Sequence, residues 1–245
     1  MKPAVSATER AFHRRGSGSS VRPALPCVAV SVTPAPFGSG AEPGRWFGGR
    51  RTPGTLSNPR RPTRRAESHP PRRGAVPTLL IISDTHLPVR AKDLPAPVWA
   101  AVDEVDVVLH AGDWVAEALL DDLAARARRV IGVFGNNDGP GLRARLPEVA
   151  RVELGGVRFA MVHETGQKAG RERRCATAYP DTDVLVFGHS HIPWDSTAPN
   201  GLRLLNPGSP TDRRRMPTFT WMTATAAGGA LTEVHLHHLE PRKVV

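Results

Sequence analysis

The stretch Leu79-Leu80-Ile81-Ile82-Ser83-Asp84-Thr85-His86 decides how the rest of the chain is read. Four large apolar residues closed abruptly by polar ones read as a strand buried on both faces. Asp84 and His86 follow at its C-terminal end, the place where ligands bind in open α/β sheets. An oxygen donor and a nitrogen donor set there suggest a metal site. Asp-x-His alone is common by chance, so its meaning depends on whether later strands bring further donors to the same edge.

Working outward, the next apolar run, Asp106 to His110, ends in Ala111-Gly112-Asp113, with Gly112 permitting a tight exit. Arg129 to Phe134 is a third strand and ends in Gly135-Asn136-Asn137-Asp138-Gly139. Between these runs, Leu94 to Val102 reads as a short helix limited by Pro95 and Pro97. Ala116 to Arg128, with Leu119, Leu120, Leu123 and Ala127 at helical spacing, reads as an amphipathic helix on the sheet. Ala150 to Leu154 and Val157 to Val162, joined by Gly155-Gly156, predict an antiparallel hairpin whose second strand ends at His163. Gln167 to Tyr179 predicts a helix with a basic face formed by Arg171, Arg173 and Arg174. Asp183 to Phe187 is another buried strand, ending in Gly188-His189-Ser190-His191, and Leu202 to Leu205 runs into the turn Asn206-Pro207-Gly208-Ser209. Phe219 to Thr225 and Leu231 to Leu239 alternate as a last hairpin around Gly228-Gly229. Parallel-type strands first and antiparallel strands later imply two sheets packed face to face with helices outside.

Asp84, His86, Asp113, Asn136, His163, His189 and His191 all follow apolar strands directly, and convergence at one sheet edge is a single cause for all seven. A lone Asp or His after a strand is ordinarily a turn or capping residue; seven in one chain are not. Three oxygen donors and four imidazoles suit borderline divalent ions such as Mn²⁺, Fe²⁺, Zn²⁺ or Co²⁺. Seven donors exceed the needs of one such ion, whereas two ions sharing a bridging carboxylate would use them all.

The order Asp-x-His, Gly-Asp, Gly-Asn-x-Asp, His, Gly-His-x-His resembles the calcineurin-like metallophosphoesterase superfamily, in particular its small phosphodiesterase branch of bacteria and archaea. The resemblance spans Thr78 to Leu239. It implies an α/β fold, a four-layer α/β/β/α sandwich of two mixed sheets, around a dinuclear centre. Carried over, Asp84, His86 and His191 bind one ion, Asn136, His163 and His189 bind the other, and Asp113 bridges them. The expected ions are Mn²⁺ first, with Fe²⁺, Zn²⁺, Co²⁺ or Ni²⁺ as alternatives. The expected chemistry is in-line attack of a metal-activated hydroxide on phosphorus, with Asp113, Asn136 and Asp138 in catalytic roles. Asp138 is the acidic residue expected to orient a ligand or a nearby imidazole. Two departures stand out. Asn137 occupies the position where larger members have a His suited to protonate the leaving group, and His163 is followed by Glu164-Thr165 where the family often has Gly-His. The first favours activated or diester substrates; the second bears on substrate specificity rather than on the metals.

Composition places the remaining expectations. The 245-residue chain has a formal charge of +10, but residues 1–76 carry fourteen Lys or Arg against three acids, while residues 77–245 carry nineteen against twenty. Residues 1–76 are rich in Arg, Pro, Gly and Ser without apolar periodicity and read as a disordered N-terminal segment; residues 77–245 form the expected metallophosphoesterase domain. The segment admits three other readings. These are a secretory signal, which Pro23 and Pro26 interrupt, an Arg-rich nucleic-acid arm without aromatic stacking residues, and a stretch that is not translated, with the start near Val76. Two cysteines, Cys27 and Cys175, exclude a disulfide framework and fit the cytoplasm. No apolar run is long enough to span a bilayer.

The expected partner is a small phosphate-ester substrate, with no membrane, no nucleic acid for the catalytic domain, and a homo-oligomer left open. The alternatives are a nuclease of the same superfamily, which the near-neutral domain does not favour, and a non-catalytic protein-interaction scaffold on the same fold, which has no need of a complete ligand set. Among the other candidates, His110 inside a strand reads as a buried, hydrogen-bonded residue. His235, His237 and His238 read as exposed pleat positions, and Arg213-Arg214-Arg215 as either a substrate-phosphate contact or a solvated loop.

Overall fold

The computed structural model describes residues 76–241, so every reading of the segment before Val76 lies outside the described residues. β1 (Thr78–Ile82) is the pivot of the first sheet because its apolar run serves two cores at once. Leu79 and Ile81 face one way and Leu80 and Ile82 the other, all four fully buried, as the two-residue period of a strand requires. Burying such a side chain contributes about 1.5–3 kcal/mol, so four in succession anchor the strand at the centre of the sheet.

The first sheet has the order β10-β9-β1-β2-β3, with β2 (Val107–Ala111), β3 (Val130–Val133), β9 (Phe219–Ala227) and β10 (Ala230–Leu239). β1, β2 and β3 run parallel, and β9 pairs antiparallel with β1. The second sheet has the order β4-β5-β6-β8-β7, formed by β4 (Val149–Leu154), β5 (Val157–Val162), β6 (Val184–Val186), β7 (Trp194–Thr197) and β8 (Arg203–Asn206). Here β5, β6 and β8 are parallel, with antiparallel edges.

Leu79, Ile81, Leu109 and Met222 of the first sheet pack on Phe159, Met161, Val186 and Leu205 of the second. Helices α1 (Ala96–Glu104), α2 (Glu117–Arg126) and α3 (Pro140–Arg145) cover the outer face of the first sheet through Val98, Leu123 and Leu142. Helix α4 (Arg171–Ala178) covers the second through Cys175. This is the α/β/β/α sandwich of two mixed sheets. No helix among the described residues is long and apolar enough to cross a membrane.

The structure adds to these expectations and corrects two of them. The closing hairpin joins the first sheet beside β1, and two short elements, α3 and β7, were not anticipated. The basic face of α4 loses Arg171, which is buried with its guanidinium 4.8 Å from the ring centroids of both Phe187 and Trp194. A planar, weakly hydrated cation can stack on aromatic rings where an ammonium would demand water. On β10, His235 and His238 are exposed but His237 is half-buried, stacked on Trp221 and hydrogen-bonded to Thr223 Oγ1.

Candidate metal centre

Parallel pairing within each sheet puts the C-terminal ends of β1, β2 and β3, and of β5 and β6, at common edges. The loops leaving those ends carry the candidate donors, and their backbones are unusual. Asp84, His86, Asp113, His189 and His191 all have positive φ, between 46° and 69°. For non-glycine residues this costs on the order of 1–3 kcal/mol each and persists only where surroundings impose it. Glycine would relieve the strain but would remove the side chains. Two neighbouring glycines make the crowding feasible. Gly112 turns at φ 89° against the His163 ring, and a Cβ at Gly135 would overlap the backbone and carboxylate of Asp113.

Two groups of donors result. In the first, His86 Nε2 and His191 Nε2 are 3.2 Å apart, His191 Nε2 is 3.4 Å from Asp84 Oδ1, and His86 Nε2 is 4.0 Å from the same oxygen. In the second, Asn136 Oδ1 lies 3.0 Å from both His163 Nε2 and His189 Nδ1. Asp113 Oδ2 stands between them, 3.5 Å from His86 Nε2 and 3.3 Å from His163 Nε2. All seven residues singled out in the sequence are thus brought to one place. Ligands about 2.0–2.2 Å from a shared ion stand roughly 3.0–3.5 Å apart when adjacent, so these separations fit divalent ions of the borderline class.

The imidazoles are aimed by carbonyl groups that were not singled out in the sequence. His163 Nδ1–H donates to Ala111 O at 2.8 Å and His191 Nδ1–H donates to Asp212 O, which turns each Nε2 toward the donors, a lone pair on His191 and, on His163, one that is freed when its Nε2 proton leaves. The His191 Nε2 lone pair faces His86 Nε2 at 3.2 Å, a separation that calls for a proton or a cation between the two nitrogens. The loop after β8 fastens this arrangement: Ser209 Oγ donates to Asp84 O and Thr211 Oγ1 to Thr85 O.

Asp138 lies against the loop of a proposed ligand, Asp113, rather than against an imidazole. Its carboxylate touches no imidazole and accepts three backbone N–H groups: Asp113 and Gly135 on Oδ2, at 3.1 and 2.7 Å, and Val115 on Oδ1 at 2.7 Å. It therefore acts on the loop that carries Asp113, because the turn after β3 passes beneath the end of β2. Asn137 donates from its backbone to Asp113 Oδ1 and from its amide to Asp113 Oδ2.

Burial pushes the Asp84 carboxyl up to about 7. Asp113 is also burdened by burial, but the His163 hydrogen bond and charge and both Asn137 donors outweigh it and hold Asp113 well below the usual carboxylate range. Burial opposes protonation of His163, yet Asp113 and Asp84 raise it to about 9. Burial lowers His86, and lowers His191 to about 4. The protons held on Asp84 and His163 are the ones that a bound divalent cation would displace.

Among the weaker candidates, His110 is fully buried, hydrogen-bonded to Thr85 Oγ1 and stacked 3.5 Å from Trp114. Arg213 is turned onto Met216 O. Arg214 and Arg90 both pair with Asp212 beside the His86 and His191 end, at 3.7 and 3.2 Å. Arg90 and Asp212 gave no signal in the sequence, because neither lies at the end of an apolar strand. A cavity of about 250 Å³ adjoins the second donor group, lined by Phe134, Asn136, Arg143, Glu148, His163 and Glu164.

Residues 78–229 match the model of the calcineurin-like phosphoesterase superfamily domain. A protein of Methanocaldococcus jannaschii, described as a probable metallophosphoesterase, is 36% identical over 132 residues, covering 54% of this chain and 67% of its own length. A probable metallophosphoesterase of Mycoplasma genitalium is 31% identical over 180 residues, 68% of this chain and 98% of its own. Among solved structures, a Thermotoga maritima protein superposes with a TM-score of 0.55 at 30% identity, covering 67% of this chain and 100% of its own. Vacuolar protein sorting 29 of Cryptosporidium parvum superposes equally, TM-score 0.55, at 21% identity over 68% of this chain and 99% of its own, a likeness of fold.

Proposed function

Because the chain belongs to the calcineurin-like phosphoesterase superfamily, we propose that it is a metal-dependent phosphoric ester hydrolase, most effective on phosphodiesters, with Mn²⁺ or a similar ion in a dinuclear centre. The observation that carries this reading is the position of Asp113 Oδ2, 3.5 Å from one histidine and 3.3 Å from another, between a buried donor set and a second set that opens to solvent at Asn136 and His189. When bound, two divalent ions supply a hydroxide nucleophile near neutral pH and draw charge from phosphoryl oxygens.

The chain's own groups prepare that chemistry. Ala111 O and Asp212 O select the tautomers of His163 and His191 whose Nε2 atoms face inward. Asp138 holds the Asp113 loop by three amides. Asn137, at the rim and bonded to Asp113, can donate hydrogen bonds but cannot give up a proton at neutral pH. Leaving groups must depart without an acid from that position, which favours diesters and activated esters. The cavity beside Asn136 and His163 has room for one ester arm. A free, buried Cys175 accords with a cytoplasmic setting.

The scaffold alternative draws only on likeness of fold, and surface recognition by itself does not require a strained donor set gathered at one place. Metal analysis of the purified chain, joined to a screen of model monoesters, diesters and cyclic nucleotides, tests the proposal. Two equivalents of metal and chelator-sensitive diesterase activity, with the fold retained after chelation, are expected. A chain that binds no transition ion and hydrolyses none of these esters refutes it.

A further inference from the structure

We propose that Glu164 is an additional oxygen donor to the ion held by Asn136, His163 and His189, a ligand outside the seven that end strands; this rests on the metallophosphoesterase reading above. Glu164 directly follows His163 at the end of β5, where the family resemblance leads one to expect glycine. Its Oε1 lies 3.2 Å from His189 Nδ1, the separation of adjacent ligands on one ion. Donor atoms of His163, Glu164 and His189 all fall within 4.8 Å of one another. His189 Nδ1 is in turn 3.0 Å from Asn136 Oδ1, which is 3.0 Å from His163 Nε2, so the carboxylate extends a continuous chain of donors.

Nothing else nearby claims this carboxylate. Among the described residues its ion-pair contact is His189, not a lysine or arginine. Arg143, which lines the same cavity, is committed to Asp138 O and Gly135 O and lies 4.4 Å over the Phe134 ring. Glu164 is half exposed at the cavity mouth, so it can reach an ion without a change of fold.

Two consequences follow from the chemistry. An added carboxylate hardens the second donor set and shifts its preference from Zn²⁺ toward Mn²⁺. It also places negative charge where an ester enters, which disfavours a monoester dianion more than a diester monoanion. Glycine at this position would do neither.

The test uses the full chain stripped of metal and compares wild type, Glu164→Gln, Glu164→Ala and Glu148→Gln by calorimetric titration with Mn²⁺ and with Zn²⁺. Glu148 lines the same cavity and serves as the control for general charge. Both Glu164 variants are expected to weaken one Mn²⁺ equivalent by about 10- to 100-fold, a scale typical of groups supporting a metal, and to weaken Zn²⁺ less. Glu148→Gln is expected to leave both equivalents unchanged. Far-ultraviolet circular dichroism of the stripped variants establishes that each is folded. Wild-type affinity for both equivalents in the Glu164 variants overturns the proposal while leaving the two-ion reading in place. Equal weakening by Glu148→Gln also overturns it, in favour of long-range charge. A wild type that binds no ion removes both readings together.

Discussion

Asp138→Asn is the most informative substitution in the described domain, because it leaves the shape of one buried residue unchanged and alters three hydrogen bonds. The carboxylate holds Asp113 N–H and Gly135 N–H on one oxygen and Val115 N–H on the other. Hydrogen bonds to a charged acceptor contribute about 1.5–3 kcal/mol each, and neutral ones about 0.5–1.5. An asparagine can keep its oxygen toward Asp113 and Gly135 only by turning its NH₂ toward Val115 N–H, a donor against a donor. Val115 is β-branched at φ 80°, so the lost bond is one that holds strained backbone. One bond broken and two weakened amount to roughly 3–5 kcal/mol. Against this, burial already raises the Asp138 carboxyl, so removing its charge returns part of the cost. The expected net loss is about 2–4 kcal/mol, or on the order of 5–15 °C in Tm. Urea denaturation in the presence of chelator measures it without contribution from bound ions. Asp121→Asn, which breaks an exposed pair with Arg145, is the control and should cost within about 1 kcal/mol. A loss below about 1 kcal/mol for Asp138→Asn, at unchanged m, would refute the role assigned to the carboxylate.

Asp113→Asn removes the carboxylate that stands nearest to both His86 and His163; it should abolish stable binding of the ion pair and lower diesterase turnover on the order of 10³-fold, about 4 kcal/mol in barrier, whereas Asn136→Ala and His189→Ala should weaken mainly one equivalent. Metal content after dialysis and turnover against a model diester check this. The affinity for Mn²⁺ should rise steadily from pH 6 to 9, since ions bind carboxylate and neutral imidazole, and the protons held by Asp84 at about 7 and His163 at about 9 must leave first. The sign for the metal-free fold is opposite. Both values are raised above those of the unfolded chain, 3.8 and 6.5, so Asp84's contribution to stability fades as pH rises through about 7 and that of His163 as it rises through about 9. Thermal melts with and without Mn²⁺ across this range check both slopes. A chain beginning at Val76 should fold and retain activity, because every proposed donor and all three cores lie beyond it; loss of either in a truncated protein would count against this.

Much of this protein is set by local sequence. The run Leu79 to Ile82 has to be a strand with two buried faces, since no helix of four residues could bury all of them, and the same reasoning places β2 and β6. Which residues end those strands is equally local, and so all seven candidate donors were legible as strand-end residues. Their division into two groups reached the reading only through the family resemblance. Distances show it directly: His86 and His191 are separated by 105 residues yet stand 3.2 Å apart. A local pattern says that a strand ends, not which other end lies beside it.

The tertiary structure alone decided the rest. β7 has only a weak alternation across Trp194-Asp195-Ser196-Thr197 and exists because β8 offers it an edge; α3 has six residues and depends on packing Leu142 beneath the first sheet. The closing hairpin could have joined either sheet, and its place beside β1 is fixed by Met222 and Ala224 entering the core between the sheets. Asp138 was expected to orient a ligand or an imidazole, and it is the tertiary structure that turns it onto three amides around Asp113, because the turn after β3 passes under the end of β2. Glu164 sits beside His189 only because β5 and β6 are parallel neighbours whose ends lie level. In each case the sequence supplies the chemical group, and burial shared between distant segments chooses what that group meets.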